Sequence, residues 1–321
     1  MTKKIRILTV ILLSCIISAA YLMLVNFNSI GMNIVSAASA QTEVPVSQAS
    51  DRAVPDPADL FRNARLTYNG QMVVAASMRE ETLVHDRHVI GVGEYMEKID
   101  NAKRYLRMEM NYSCDNVRQS VQYISDASKD MFWISKNIGT HKELFRIDAF
   151  KLNDQTANPE LVSSIDGIPI TPVSFAGIPF ILSQIEKYYT FTSCSIIRDS
   201  QTSKPFYVIV GTWNPERFPM SNLVSEKGIK WDAVPPEIPD TIKIYLGFND
   251  LFPYKIYYYR NVNDQPTLIS RLTFYDVSFD VRLNTKQFGF SPSSDNNKPI
   301  DITNRYLKKK DKSNENTTIR N

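Results

Sequence analysis

The chain is short of the residues that usually carry chemistry. It has 3 Cys, 3 His and only 11 Gly in 321 residues. No Gly-x-Ser-x-Gly turn presents a nucleophile, neither Cys114 nor Cys194 stands beside a base in a known motif, and no glycine loop is spaced to cradle a phosphate. His85 and His88 flank Asp86–Arg87 in a polar turn, and His141 follows Gly139–Thr140 in another. Neither place offers the three or four ligands of a metal site, so no metal and no cofactor is expected. The carboxylates Asp276 and Asp280 share one strand at even spacing and read as its solvent face. Charge of one sign is lacking too. A net charge of +3 gives no basic patch for nucleic acid, and Lys308, Lys309, Lys310 and Lys312 sit in a polar tail, residues 304–321, read as disordered. Nothing local supports an enzyme.

Apolar strand is what the sequence does have: 43% hydrophobic residues, 16 Tyr and 16 Phe. From Gly70 the spacing is two, with Met72, Val74, Ala76 and Met78 on one face. Strands are predicted over 89–98, 105–112, 117–125, 130–135 and 143–152, joined by short polar turns in the pattern of an antiparallel meander. A second run covers 191–198, 206–213, 241–248, 254–260 and 268–281. The stretch LTFYDVSFDVRLNTKQFGFSP, residues 272–292, reads as a long strand, a turn and a second short aromatic strand. Two helices are predicted. One covers Ala58 to Leu66 with Asp56 as N-cap. The other covers Phe175 to Tyr188, where Ile178, Ile181, Leu182 and Ile185 form an apolar stripe and Pro179 must lie in the first turn. The Pro-rich connection between Trp213 and Thr241 has no assignment.

The N-terminus points outward. Lys3, Lys4 and Arg6 precede the uncharged run Ile7 to Val25, and small residues follow to Ala38-Ser39-Ala40. Residues 1–40 therefore read as an export signal, cleaved near Ala40, or as an inner-membrane anchor with a transmembrane helix at residues 7–25; the body is extracytoplasmic either way. Leu12-Leu13-Ser14-Cys15 is similar to a lipoprotein-processing box. Residues 41–55 are a linker. In an oxidising compartment Cys114 and Cys194 read equally well as a disulfide or as two free thiols.

Several short patterns fall in a common order. Tyr123-Ile124-Ser125-Asp126 with Asp130-Met131-Phe132-Trp133-Ile134 resembles a turn between two strands of the outer-membrane lipoprotein-sorting family, LolA with its relatives LolB and RseB. Ile178-Pro179-Phe180-Ile181-Leu182 resembles that family's central helix, and Lys204 to Val210 the strand after it. Asp250 to Ile256 resembles a hairpin of wider relatives. Phe288-Gly289-Phe290-Ser291-Pro292 with Ile300-Asp301 resembles its terminal strand. The resemblance implies a mainly β, α+β fold over residues 56–303: a half-open antiparallel β-barrel whose concave apolar face is covered by a helical lid. It implies an extracytoplasmic, periplasmic lipid- or lipoprotein-binding protein that holds acyl chains for transport or sorting, with an anchored RseB-like sensing or protein-interaction module as the alternative and a hydrolase third. The partners implied are lipoprotein acyl chains or lipids and a membrane protein. Carriers place Arg-Pro before the third strand; here the stretch is Asn101-Ala102-Lys103-Arg104-Tyr105, without the proline. Strand parity and methionine's adaptability to irregular alkyl shapes nominate Met72, Val74, Met78, Leu106, Met108, Met110, Trp133, Phe145, Ile147, Ile244, Leu246 and Phe248 for the cavity. Ile178, Ile181, Leu182 and Ile185 are nominated for the lid.

Overall fold

The alternation of buried and exposed residues continues across most of the chain, and each period-two segment is a strand of one sheet. The computed structural model describes residues 54–69, 73–84, 87–100, 103–114, 117–148, 177–200, 202–214, 239–262, 265–292 and 298–303, with a few isolated residues between. The export segment, the lipoprotein-like box at Cys15, the linker up to residue 53, Met72, His85 and the C-terminal tail lie outside these residues.

Helix α1 (Pro57–Asn69) comes first, then β1 (Val73–Val84), β2 (Arg87–Asp100), β3 (Lys103–Cys114), β4 (Val117–Asp126), β5 (Met131–Ile138) and β6 (His141–Asp148). Two-residue strands β7 (Ser164–Ile165) and β8 (Ile168–Pro169) pair with each other. Helix α2 (Ile178–Tyr188) leads straight into β9 (Tyr189–Arg198) and β10 (Pro205–Trp213). The connection left unassigned from sequence contains a second small pair, β11 (Val224–Ser225) with β12 (Gly228–Ile229). The body then closes with β13 (Thr241–Gly247), β14 (Pro253–Val262), β15 (Gln265–Ser278) and β16 (Ile300–Asp301).

Twelve of these strands form one open sheet in the order β16-β6-β5-β4-β3-β2-β1-β15-β14-β13-β10-β9. Every pairing is antiparallel except the last, where Ile300 and Asp301 run parallel to Phe145 and Arg146. Arg146 holds Asp301 at 3.2 Å, and the Asp148 amide donates to Thr303 Oγ1 at 2.9 Å. Residues 300–303 thus cover part of the edge that β6 would otherwise present to solvent.

Helix α1 is capped where the sequence predicts, whereas α2 starts at Ile178, three residues after the predicted Phe175. The Asp56 carboxylate accepts from the amides of Ala58 and Asp59 at 2.9 and 3.0 Å, satisfying two of the free donors of the first turn. In α2 Pro179 occupies the first turn, where no intrahelical donor is lost. Leu60, Phe61, Ala64 and Tyr68 of α1 and Ile178, Leu182 and Ile185 of α2 are buried in the main core with the concave residues of the sheet. Phe61 packs on Phe191 at 4.4 Å between ring centroids. Tyr68 meets Phe252 edge-on and donates to the Asp250 carbonyl at 2.6 Å, fixing the C-terminal end of α1 to the β13–β14 turn.

Two expectations need correction. The aromatic segment after β15 is not a strand. Thr285–Phe288 is a 3₁₀ turn started by a capping box, in which Asn284 accepts from Lys286 and Gln287 accepts from Asn284. Residues 289–292 then run on without ladder bonds among the described residues. Both neighbours of β5 and β4 are already strands, so this segment lies across the convex face. There Phe288 packs on Tyr105, and Phe290 on Trp133. Asp276 and Asp280 are both exposed, but β15 ends at Ser278, so they do not share one strand.

Candidate functional site

The concave face is built by parity. On β3, Leu106, Met108, Met110, Tyr112 and Cys114 alternate with exposed or half-buried neighbours, Tyr105 beneath Phe288 excepted, and β1 continues the face with Val74, Ala76 and Met78. Of the residues nominated for a cavity, Val74, Met78, Leu106, Met108, Met110, Ile147, Ile244 and Leu246 come together in the main core, with Phe145 packed against it. Each of those eight is at most 1% exposed. Phe248 stands just past β13, stacked on Tyr207 at 4.7 Å. Trp133 does not join them. It lies with Ile124 and Leu144 on the convex face, under Phe290, whereas Phe132 and Ile134 take the concave positions on β5. Three adjacent apolar residues give parity no way to choose. Cys114 and Cys194 are free thiols, on strands with six others between them in the sheet. His88 is exposed, and exposed His141 lies 3.3 Å from Glu143. Among the described residues no group of three or more His, Cys, Asp or Glu is gathered to hold a metal.

Helix α2 crosses the hollow. Its C-terminal residue Tyr188 is followed directly by Tyr189 of the edge strand β9, and its N-terminus lies over β2. Between β2 and β9 run six interstrand spacings, which at ~4.8 Å each make about 29 Å along the sheet. Eleven helical residues span only about 16 Å. The sheet must therefore curl toward α2, which gives the half-open barrel.

A buried polar latch holds the N-terminus of α2. The Ile178 amide donates to the Tyr95 hydroxyl at 2.9 Å, Tyr95 donates to Glu97, and Glu97 pairs with Arg104 Nε at 2.9 Å. Glu97 is fully buried and the Arg104 side chain is 10% exposed. Burial raises the Glu97 carboxyl above its ordinary range, and Arg104 pulls it back. Gly177 caps the helix at φ 93°, and a Cβ there would sit 3.1 Å from Glu97 Oε1. The latch therefore needs glycine at this position for two reasons. In the last turn of α2, Glu186 pairs with Arg65 of α1 at 2.5 Å.

Sequence reasoning missed the latch, although a signal was present. Glu97 falls on the same parity as Tyr95 and Val89, so a charge stood at an inward position. Arg104 is the residue that stands near the place of the carrier family's arginine.

A sheet of this kind, curled beneath two helices, is the class of fold that the resemblance implies. Among solved structures the chain is similar to MucB of Pseudomonas aeruginosa in its complex with MucA, at 13% identity over 74% of this chain and 62% of that one, with a TM-score of 0.37. It is also similar to a putative outer membrane lipoprotein-sorting protein domain from Vibrio parahaemolyticus, at 9% identity, 72% and 95% coverage and a TM-score of 0.29. A DUF1329 family protein from Desulfovibrio piger gives 8% identity, 73% and 95% coverage and the same TM-score. The chain spans about three fifths of the MucB chain. No family model and no curated protein matches the sequence.

Proposed function

We propose that this is an extracytoplasmic lipid- or lipoprotein-binding protein, not an enzyme, whose body from residue 56 to 303 is one domain. It takes acyl chains against the concave face when α2 swings away. The observation that carries this is the mounting of α2: a polar latch at its N-terminus, a direct junction to an edge strand at its C-terminus, and an apolar stripe between them. A helix fixed this way hinges at Tyr188–Tyr189 once the latch opens.

The magnitudes are balanced. Re-exposing the stripe of Ile178, Leu182, Ile185 and Tyr188 costs roughly 6–12 kcal/mol at ~1.5–3 kcal/mol per buried side chain. One sixteen-carbon chain leaving water gains on the order of 12 kcal/mol at ~0.8 kcal/mol per CH₂. One chain is about break-even, and a second tips the exchange. The closed hollow and the loaded hollow are then alternative occupants of the same apolar surface. Tyr95→Phe removes the hydroxyl between Ile178 and Glu97, so it is expected to speed uptake of a fluorescent acyl probe severalfold. Absence of uptake in both proteins, with no lipid found by native mass spectrometry, would remove the reading.

Contact with a protein partner, as in a sensing module, is the second reading. The outer edge of β9 favours it, being uncharged and half-buried or exposed from Thr190 to Ile197. Crosslinking at exposed Thr192 to an inner-membrane protein tests it.

A further inference from the structure

The hollow has a second end. Six residues along β2 from Glu97, about 20 Å at ~3.3 Å per residue, lies Gly91, and here the concave face turns polar. Across this row Glu80 of β1 is opposite Gly91, Gly91 opposite Tyr112, and Tyr112 opposite Gln119. A Cβ on Gly91 would stand 2.6 Å from the Tyr112 ring, so glycine there lets that ring lie over β2. Tyr112 thereby reaches across a whole strand and donates to Glu80 Oε2 at 2.8 Å. In the next row Thr82 and Ser270 share a hydrogen bond of 2.9 Å, beside Tyr258.

Gln119 is the odd member. It is 3% exposed, and neither its carbonyl oxygen nor its amide nitrogen has a hydrogen-bond partner. A buried amide with both ends unmet is costly unless something completes it. Between this row and the latch Met78, Met110, Met108 and Val121 line the face, with buried Lys136 opposite Val121. We infer that the Glu80–Tyr112–Gln119 row is a head-group subsite for a neutral amphiphile bearing ester and hydroxyl groups, the tails lying along the strands toward Glu97. This rests on the acyl-binding reading above. An amide that both donates and accepts suits a hydroxyl and an ester carbonyl. A phosphate would be buried in a row whose described residues include no cation; buried Lys136 lies one row nearer the latch, over the Phe145 ring. Burial pushes Glu80 up to about 8, so it faces a head group uncharged at neutral pH.

The test uses the purified full chain with four probes: dioleoylglycerol, dioleoylphosphatidate, a synthetic diacylglyceryl lipopeptide and hexadecane. Gln119→Leu is expected to weaken dioleoylglycerol about tenfold, the loss of roughly one neutral hydrogen bond, and to leave hexadecane unchanged. Its unfolding midpoint is expected at or above wild type, since an unmet amide has been removed. Should Gln119→Leu be poorly expressed, Gln119→Met gives the same head-group-selective loss. Equal binding of dioleoylglycerol by variant and wild type, a preference for phosphatidate, or a clear destabilisation by Gln119→Leu each overturns the subsite. Loss of all four probes in wild type overturns the acyl reading itself. The lipopeptide outranking dioleoylglycerol, or the reverse, supports the subsite and tells a lipoprotein source from a free lipid.

Discussion

Glu80 makes the pH dependence of stability a quantitative matter. Burial is the largest influence on its carboxyl and raises it from 4.5 to about 8, while hydrogen bonds from Tyr112 and Thr82 act the other way. A folded-state value above the unfolded one means that the native protein binds the proton more tightly. The resulting stability is fully present below about 4.5 and is lost as pH rises toward 8. Between pH 5 and pH 8 this amounts to on the order of 3 kcal/mol, a large part of a domain's stability. Glu97 slopes the same way, its carboxyl also being raised by burial. The informative quantity is therefore the difference between wild type and Glu80→Gln, a neutral side chain of the same shape that still accepts from Tyr112. Urea unfolding at pH 5, 6, 7 and 8 should show the variant gaining on wild type by about 1 kcal/mol per pH unit. A difference that stays constant from pH 5 to 8 would mean that Glu80 does not titrate in this window, and the account of its burial would be wrong.

Two further substitutions separate the faces and the rows of the sheet. Trp133→Ala, on the convex face beneath Phe290, should cost roughly 3 kcal/mol of stability by thermal or urea unfolding yet leave acyl-probe uptake unchanged; impaired uptake would contradict the face assignment. Gly91→Ala should cost about 1–3 kcal/mol by overpacking against Tyr112, and the loss should shrink in a Tyr112→Ala background.

The sheet was largely legible because period-two alternation fixes which residues share a face, and β3 shows it plainly in Leu106, Met108 and Met110 against Arg107 and Glu109. Helix α1 was legible from Asp56 and the helical spacing of Leu60 and Ala64, although it runs three residues past the predicted Leu66. What parity does not fix is which face is inward where apolar residues run together, as at Phe132-Trp133-Ile134. Only the partner decides there, and the partner on the convex side is Phe290, more than 150 residues away in sequence. The C-terminal segment failed for a related reason. Alternating Phe288 and Phe290 looks like a strand, but a strand needs a free edge, and the edge is a property of the assembled sheet. The capping box at Asn284 to Gln287 was the local sign of the turn.

The polar groups of the hollow were the least legible, because a glutamate inside a strand reads as a solvent position until its parity is counted. Counted, Glu97 and Glu80 fall inward, at opposite ends of a face that is mostly apolar between them. Each is met by a tyrosine hydroxyl, Tyr95 in one case and Tyr112 in the other. They differ in what else reaches them. Glu97 has a cation and the helix amide end beside it, an arrangement suited to holding α2 down. Glu80 has hydroxyls, and three strands from it stands an amide with nothing to bind. A core meant only for stability would place hydrocarbon at both ends, since a buried ion pair is often no better than the apolar side chains it replaces. Polar groups kept at the two ends of a greasy surface give that surface a direction, and a direction is of use to an amphiphile.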